Sequence, residues 1–514
     1  MKNSLFHWHR PLIVLLVAFV FDLLFWKNEL GLNLTLFALI ATVLMIVING
    51  PRSIGPAGHV AMAGTVIAAV MWYVHGTAIS AFATITSGII AAAFSHQPQM
   101  RSIYYSFLQF ANDLLMVPVK VMDGAREILT SRGGRATGWN WARGAFLPLV
   151  IGGIFLLMYR EGNSRFNVLT AGFVDVLDRT IGRLFEEIFT VHTFFFLFAL
   201  VLCGALLFRF SSRTVLAWEQ RWTDMLLRKR IRRPHWLSPL AMDPLERERR
   251  KGVMLLVLVN VLLLIVNVID INWVWFGFEV EQGMSLKAFV HEGTWMLICS
   301  ILLSMVIVLY LFRGNQNFYS RSGGLKKLAV LWVVQNFILG ISVFLRNYHY
   351  IDYHGLAYKR IGVIVFLALV LVGLVTLFLK IRDRRSFFYL MRVNTWAAFA
   401  MMIGLSLVDW DRFIVKFNLQ HENPAEVDID NYLHMSDRVL PLLYADLEKV
   451  EVQMRSHQMN RVRWVEHLDP SDFRAHLDRR RDHFLRKHEH RSALERTWAD
   501  DRTYAALNAS PRTP

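Results

Sequence analysis

The chain has 514 residues, of which 54% are hydrophobic and 19% charged, with a formal net charge of +16 and two cysteines. It is more apolar and less charged than a soluble domain, and two cysteines cannot staple a disulfide-rich secreted fold. The basic excess does not indicate a nucleic-acid partner. Residues 409–514 hold 17 Lys+Arg against 19 Asp+Glu, so the surplus lies among the apolar runs, where it sets orientation in a bilayer.

Those runs predict about eleven membrane spans, at 11–26, 31–49, 59–75, 77–95, 145–159, 190–209, 252–270, 293–312, 327–345, 361–380 and 388–408. A hydrocarbon core about 30 Å thick takes roughly 20 residues at about 1.5 Å each. Every span must be helical, because lipid offers no partner to backbone amides. The expected fold is all-α: a polytopic transmembrane helix bundle over 1–408, in contact with the lipid bilayer, followed by a small helical extramembrane C-terminal region.

The first run, 11–26, has the basic lead-in of a signal peptide but no small-residue cleavage site, and reads as span one. Asp22 lies near its outer end, close to Lys27 and Glu29. It is either a proton carrier or an ion-pair partner at the interface. Residues 102–122 are apolar but interrupted by Asn112, Asp113 and Pro118, and read as a helix lying in the interface, the alternative being a further span that would flip everything downstream. After 145–159, Phe166, Leu169, Phe173 and Leu177 repeat at helical spacing, as in a helix resting on the outer leaflet. Cys203 and Cys299 sit inside apolar runs and read as small core residues. The loop 209–251 contributes 12 Lys+Arg. With the N-terminus inside, inner loops outnumber outer loops roughly threefold in basic residues, as the positive-inside rule expects. This puts the N-terminus in the cytoplasm, anionic lipid head groups against the inner loops, and the C-terminus outside, in the periplasm if the cell is Gram-negative.

Span 252–270 carries Asn260, Asn267 and Asp270 within one face. Polar groups in lipid face other helices or a wet cavity, so they form either a polar path or interhelical hydrogen bonds. The following outer segments hold the densest polar cluster: His291 and Glu292, then Gln335 and Asn336, then Arg346, Asn347 and Tyr350, then Arg360. Such side chains at helix ends suit an anionic or sugar-like ligand, or a polar rim that locks the ends together. No second His follows His291 at the spacing of a zinc protease, and no metal or cofactor is expected. Arg392, about one turn inside span 388–408, is expected to snorkel.

The tail divides into an extramembrane element, 409–455, and a charged helical or partly disordered stretch, 456–514. Leu443, Leu447, Val450 and Met454 form one stripe of an amphipathic helix. His476, His483, His488 and His490 do not share one face and read as charged surface.

Phosphate-loop and kinase motifs are absent, and the inner loops are too short for an enzyme domain. Three classes of function remain. One is a non-enzymatic envelope protein that binds, transports or senses a small polar ligand. Another is a membrane scaffold that recruits protein partners through its tail. The third is a membrane-embedded enzyme acting on a lipid-linked substrate, with Glu279, Glu281, His291, Glu292 or Asp352 as acid or base.

Residues 291–409 contain His291-Glu-Gly-Thr-Trp, Trp332-Val-Val-Gln-Asn, Ser342-Val-Phe-Leu-Arg-Asn and Gly355-Leu-Ala-Tyr-Lys-Arg-Ile-Gly-Val. Together with Asp22-Leu-Leu-Phe-Trp near the start and Phe413-Ile-Val-Lys-Phe-Asn after the last span, this pattern resembles the bacterial multi-pass membrane proteins of domain of unknown function 4173, and their relatives numbered 4153. The resemblance runs to about residue 455 and implies a cell-envelope membrane protein, with no activity, cofactor or catalytic residue attached. Where those relatives often have Gly-Leu-Thr, this chain has Gly355-Leu-Ala357.

Overall fold

The computed structural model describes residues 5–131, 190–209, 214–228, 244–277, 294–420, 427, 429–459 and 468–509, with 152, 155–156, 158–160, 162–163, 165–166, 169–170 and 172. Among the described residues the protein is helical and contains no strand. The helices are α1 (Leu5–Phe25), α2 (Leu32–Asn49), α3 (Pro56–His75), α4 (Ala78–His96), α5 (Ile103–Ser131), α6 (Val191–Leu207) and α7 (Thr214–Gln220). Next come α8 (Pro244–Asp270), extended by a π-helical turn at Ile271–Trp275, then α9 (Thr294–Leu311), α10 (Gly323–His354), α11 (Tyr358–Asp383) and α12 (Phe387–Ser406). The tail adds α13 (Trp410–Gln420), α14 (Leu440–Ala445), α15 (Leu447–Met459), α16 (Pro470–His490) and α17 (Trp498–Ala509).

Eight of these helices are long and apolar enough to cross a membrane: α2, α3, α4, α8 with its π turn, α9, α10, α11 and α12. Two shorter apolar helices, Leu12–Phe25 and Val191–Leu207, coincide with two more of the expected spans. The protein is a polytopic helical membrane protein. The remaining expected span, 145–159, falls mostly outside the described residues, as does most of the helix expected over 166–177.

The chain forms two compact units: residues 1–65, 87–99 and 106–215, and residues 66–86, 100–105 and 216–514. In the first, the end of α1 meets the start of α6. His192 Nε2 donates to the Asp22 carboxylate at 2.9 Å, and Trp26 stacks on the His192 ring with centroids 4.3 Å apart. Phe21, Phe37 and Phe195 pack beside them. Asn33 plugs the turn between α1 and α2, donating to the carbonyls of Leu24 and Glu29 and accepting from the amides of Gly31 and Leu34. Farther along the unit, His96 Nδ1 donates to Asp113 at 3.0 Å, Gln109 donates to the other Asp113 oxygen at 2.8 Å, and Val117 packs on Gly204.

In the second unit α10 is the central helix, packed against α8, α9 and α11. Its core joins Leu256, Ile301, Val308, Phe312, Leu325, Trp332, Leu339, Leu374 and Leu377. In lipid, close packing and hydrogen bonds rather than water expulsion hold helices together. At Gly252 any Cβ would lie 3.0 Å from Leu325 and 3.1 Å from Leu311.

One end of this unit is basic and tied down by a few acids. Glu219 accepts the amides of Arg101 and Ser102, at 3.1 and 2.7 Å. Burial nonetheless pushes its carboxyl above the usual range. Arg392 pairs with Asp224 at 2.9 Å.

The tail folds over the opposite end. The expected stripe is present, with Leu443, Val450 and Met454 buried, but the helix breaks at Asp446 into α14 and α15. Its core continues into the charged stretch: Phe473, Leu477 and Phe484 of α16 and Leu507 of α17 are buried with Ile414, Val415 and Tyr432. Two polar residues serve the same packing. Arg480 clamps the carbonyls of Leu433 and Met435 and the Asp437 carboxylate, and His488 donates to Asp501 at 2.9 Å. Residues 409–455 and the described part of 456–514 thus share one core.

Candidate functional site

The polar residues of the second unit fall into two sets. The first is a seam between α8 and α10, which run parallel. Asn260 donates to the carbonyls of Leu256 and Leu328, at 2.6 and 3.2 Å, and accepts from Gln335 Nε2 at 2.9 Å. Asn267 donates to the Gln335 carbonyl at 3.1 Å. Asp270 and Arg346 form an ion pair of 2.5 Å with both side chains under one-tenth exposed. Trp275 on the π turn donates to Ser342 at 2.9 Å, and His349 donates to the Val274 carbonyl at 3.1 Å. The sevenfold and threefold spacing on α8 thus serves one neighbouring helix, and the backbone groups and amides of that helix supply the partners lipid lacks. Asn336 turns back to its own helix, donating to the Trp332 carbonyl at 2.8 Å.

The second set surrounds a cavity of about 610 Å³ where the ends of α9, α10 and α11 meet the tail. That size lies within the range of small-molecule sites, about 300–1,000 Å³. Asn347, Tyr350 and His354 approach from α10, and Tyr358, Lys359, Arg360 and Val363 from the start of α11. Thr294, Trp295 and Ile298 come from the start of α9, and Asn418, Asn431, Tyr432 and Met435 from the tail.

The wall is fixed by the turn between α10 and α11. Gly355 has φ +76°, and a Cβ there would sit 2.7 Å from Asn418 Oδ1. That closeness lets Asn418 act as a backbone surrogate: its Oδ1 accepts the Leu356 amide at 2.6 Å and its Nδ2 donates to the Leu356 carbonyl at 2.9 Å. Arg360 Nη1 donates to the carbonyls of His354 and Gly355, and its guanidinium lies over the Tyr350 ring at 4.5 Å. Asn347 donates to the Arg360 carbonyl at 3.2 Å. Tyr358, at the rim, donates to Asp411 of α13 at 2.6 Å. Lys359 is exposed beside it.

Of the residues expected from sequence, the cavity gathers Asn347, Tyr350 and Arg360. Gln335 and Arg346 belong to the seam with Asn260, Asn267 and Asp270, and Asp22 pairs with His192 in the other unit. His291, Glu292, Glu279 and Glu281 lie outside the described residues, and Asp352 is exposed. Asn418, Asn431 and Tyr432 were not expected as site residues. Tail residues 411–435 are linked to residues 347–360 only by the fold, and no spacing along the chain announces that.

Among the described lining residues there are two cations, amides, hydroxyls and one imidazole, and no carboxylate. This set can bind negative charge or hydroxyl groups through charge and hydrogen bonds. Among the described residues no three His, Cys, Asp or Glu side chains converge as metal ligands. No curated protein and no solved structure matches the chain. A family model described as a domain of unknown function (DUF4153) matches residues 11–445, which is most of the chain, and the chain belongs to that family.

Proposed function

We propose that this protein binds a small anionic or polyhydroxylated ligand in the cavity between α9, α10, α11 and the tail, as a non-enzymatic component of the bacterial inner membrane. The observation that carries this reading is the lining: Lys359 and Arg360 among neutral hydrogen-bonding side chains, with no carboxylate among the described lining residues. A wall that carries two cations favours an anion. Titrating purified protein with inorganic phosphate at constant ionic strength tests it. Phosphate raises the melting temperature of the wild type, and Lys359→Gln removes the rise. An equal rise in both proteins, or none in either, overturns the reading.

In this proposal the N-terminus is cytoplasmic, the basic end meets anionic lipid head groups, and the tail and cavity are periplasmic. The support is the charge asymmetry together with the placement of the tail at the end opposite Arg101, Glu219 and Asp224. The interfacial assignment of 102–122 belongs to the same proposal. It is supported by Asp113 lying beside the last residue of α4 and Val117 beside Gly204, one turn from the end of α6. A periplasm-only reporter fused after Pro514 gives a signal in this topology, and a cytoplasm-only reporter does not. Kinship with the 4173 group rests on the motifs quoted above. A partner-recruiting role is supported by α16, whose apolar face is used inside the tail while Arg479, Arg486 and Lys487 lie outside its buried stripe.

A further inference from the structure

The cavity wall mixes polar and apolar side chains and runs from the tail into the first two turns of α9 and α11. Lys359, Arg360, Asn418 and Asn431 lie towards the tail. Ile298 and Val363 lie one turn deeper, in the first turns of α9 and α11, both of them membrane-crossing helices. Trp295 stands at the same level as Thr294 at the start of α9 and is 64% exposed, in the position where aromatic side chains mark the membrane interface. A freely soluble anion has use for the polar half alone. Extending the same cavity into the first turns of membrane helices gives the site an apolar half, and a ligand that matches both halves has a charged head and a hydrocarbon body.

We infer that the cavity takes the anionic head group of a membrane lipid, with the phosphate against Lys359 and Arg360 and the start of the lipid body against Trp295, Ile298 and Val363. This inference rests on the anion-binding reading and specifies the source of the anion. A lipid enters from the bilayer side, past Trp295, rather than from the water above the tail. Lys359 and Trp295 are both exposed, so their substitution leaves the packing of the bundle unchanged.

The test uses the full chain in nanodiscs of equal phosphatidylglycerol and phosphatidylcholine, with the retained lipid measured by native mass spectrometry. Inorganic phosphate and glycerol phosphate are titrated in parallel. The wild type retains phosphatidylglycerol over phosphatidylcholine by about fivefold, the preference expected of one well-placed cation at a membrane surface. Lys359→Gln brings that ratio to the input ratio and weakens binding of the soluble phosphates, whereas Trp295→Ala lowers the amount of both lipids retained and leaves soluble phosphate binding unchanged. If both soluble phosphates bind through Lys359 but no lipid is selected, the lipid inference falls and the anion site stands. If neither lipid selection nor soluble phosphate responds to Lys359→Gln, both fall.

Discussion

The seam and the cavity draw on the same helix, α10, and use its polar side chains in opposite ways. In the seam, Gln335 and Arg346 meet partners on α8. Next to Arg346 in the chain, Asn347 and, one turn on, Tyr350 border about 610 Å³ of open volume. A polar residue in a membrane helix is therefore not by itself a mark of function. What separates the two regions is that Asn347 and Tyr350, though partnered by Arg360 of α11, also border open volume.

That contrast is sharpest at the ion pair. Arg346→Ala leaves Asp270 buried with no counter-charge, a loss of about 3–5 kcal/mol. The protein should all but vanish from the membrane fraction, and normal levels would break the division drawn here. Replacing both residues by Leu should restore most of the level, because a buried pair is worth little against apolar packing. On the cavity side, Gly355→Ala combines a left-handed φ with a contact to Asn418 and should cost about 1–3 kcal/mol in thermal unfolding. An unchanged melt would mean that the turn is not held by Asn418. Within the seam, Asn267→Ala removes one interhelical bond and should cost about 0.6 kcal/mol and at most about 1.7. A larger loss would indicate a network rather than separate bonds. Smallest of all, Lys359→Gln should stay within about 0.5 kcal/mol of the wild type in unfolding while abolishing the response to phosphate. A clear loss of stability would move Lys359 from the cavity's function to its architecture.

The spans were legible because a bilayer imposes a length and a polarity that each run must satisfy alone. The shared face of Asn260, Asn267 and Asp270 was legible for the same local reason, since helix periodicity fixes it. Which neighbour that face meets was not, and so Gln335 and Arg346 were grouped with Asn347 and Tyr350 although they point into a different contact. The tail was harder. Phe473, Leu477 and Phe484 are sparse among arginines, yet their spacing puts them on one face, and that face enters a core begun at Ile414. Arg480 belongs to a charged run by sequence, and four backbone and carboxylate partners from a distant segment make it part of the scaffold. Asn418 and Asn431 needed the fold to bring them to the cavity.

The parallel pairing of α8 and α10 has a consequence for synthesis. Asp270 and Arg346 are separated by 76 residues, and Asn267 and its partner Gln335 by 68. At roughly 5–20 residues per second, α8 emerges some 4–15 s before the residues that satisfy it. Through that interval an aspartate and two asparagines have to be sheltered by the insertion machinery, by water at the membrane surface or by an earlier helix. α9 has to cross back before α10 can arrive. The order of translation thus makes the newborn chain most exposed between residues 270 and 346, and a ribosome pause in that stretch should lengthen the exposure.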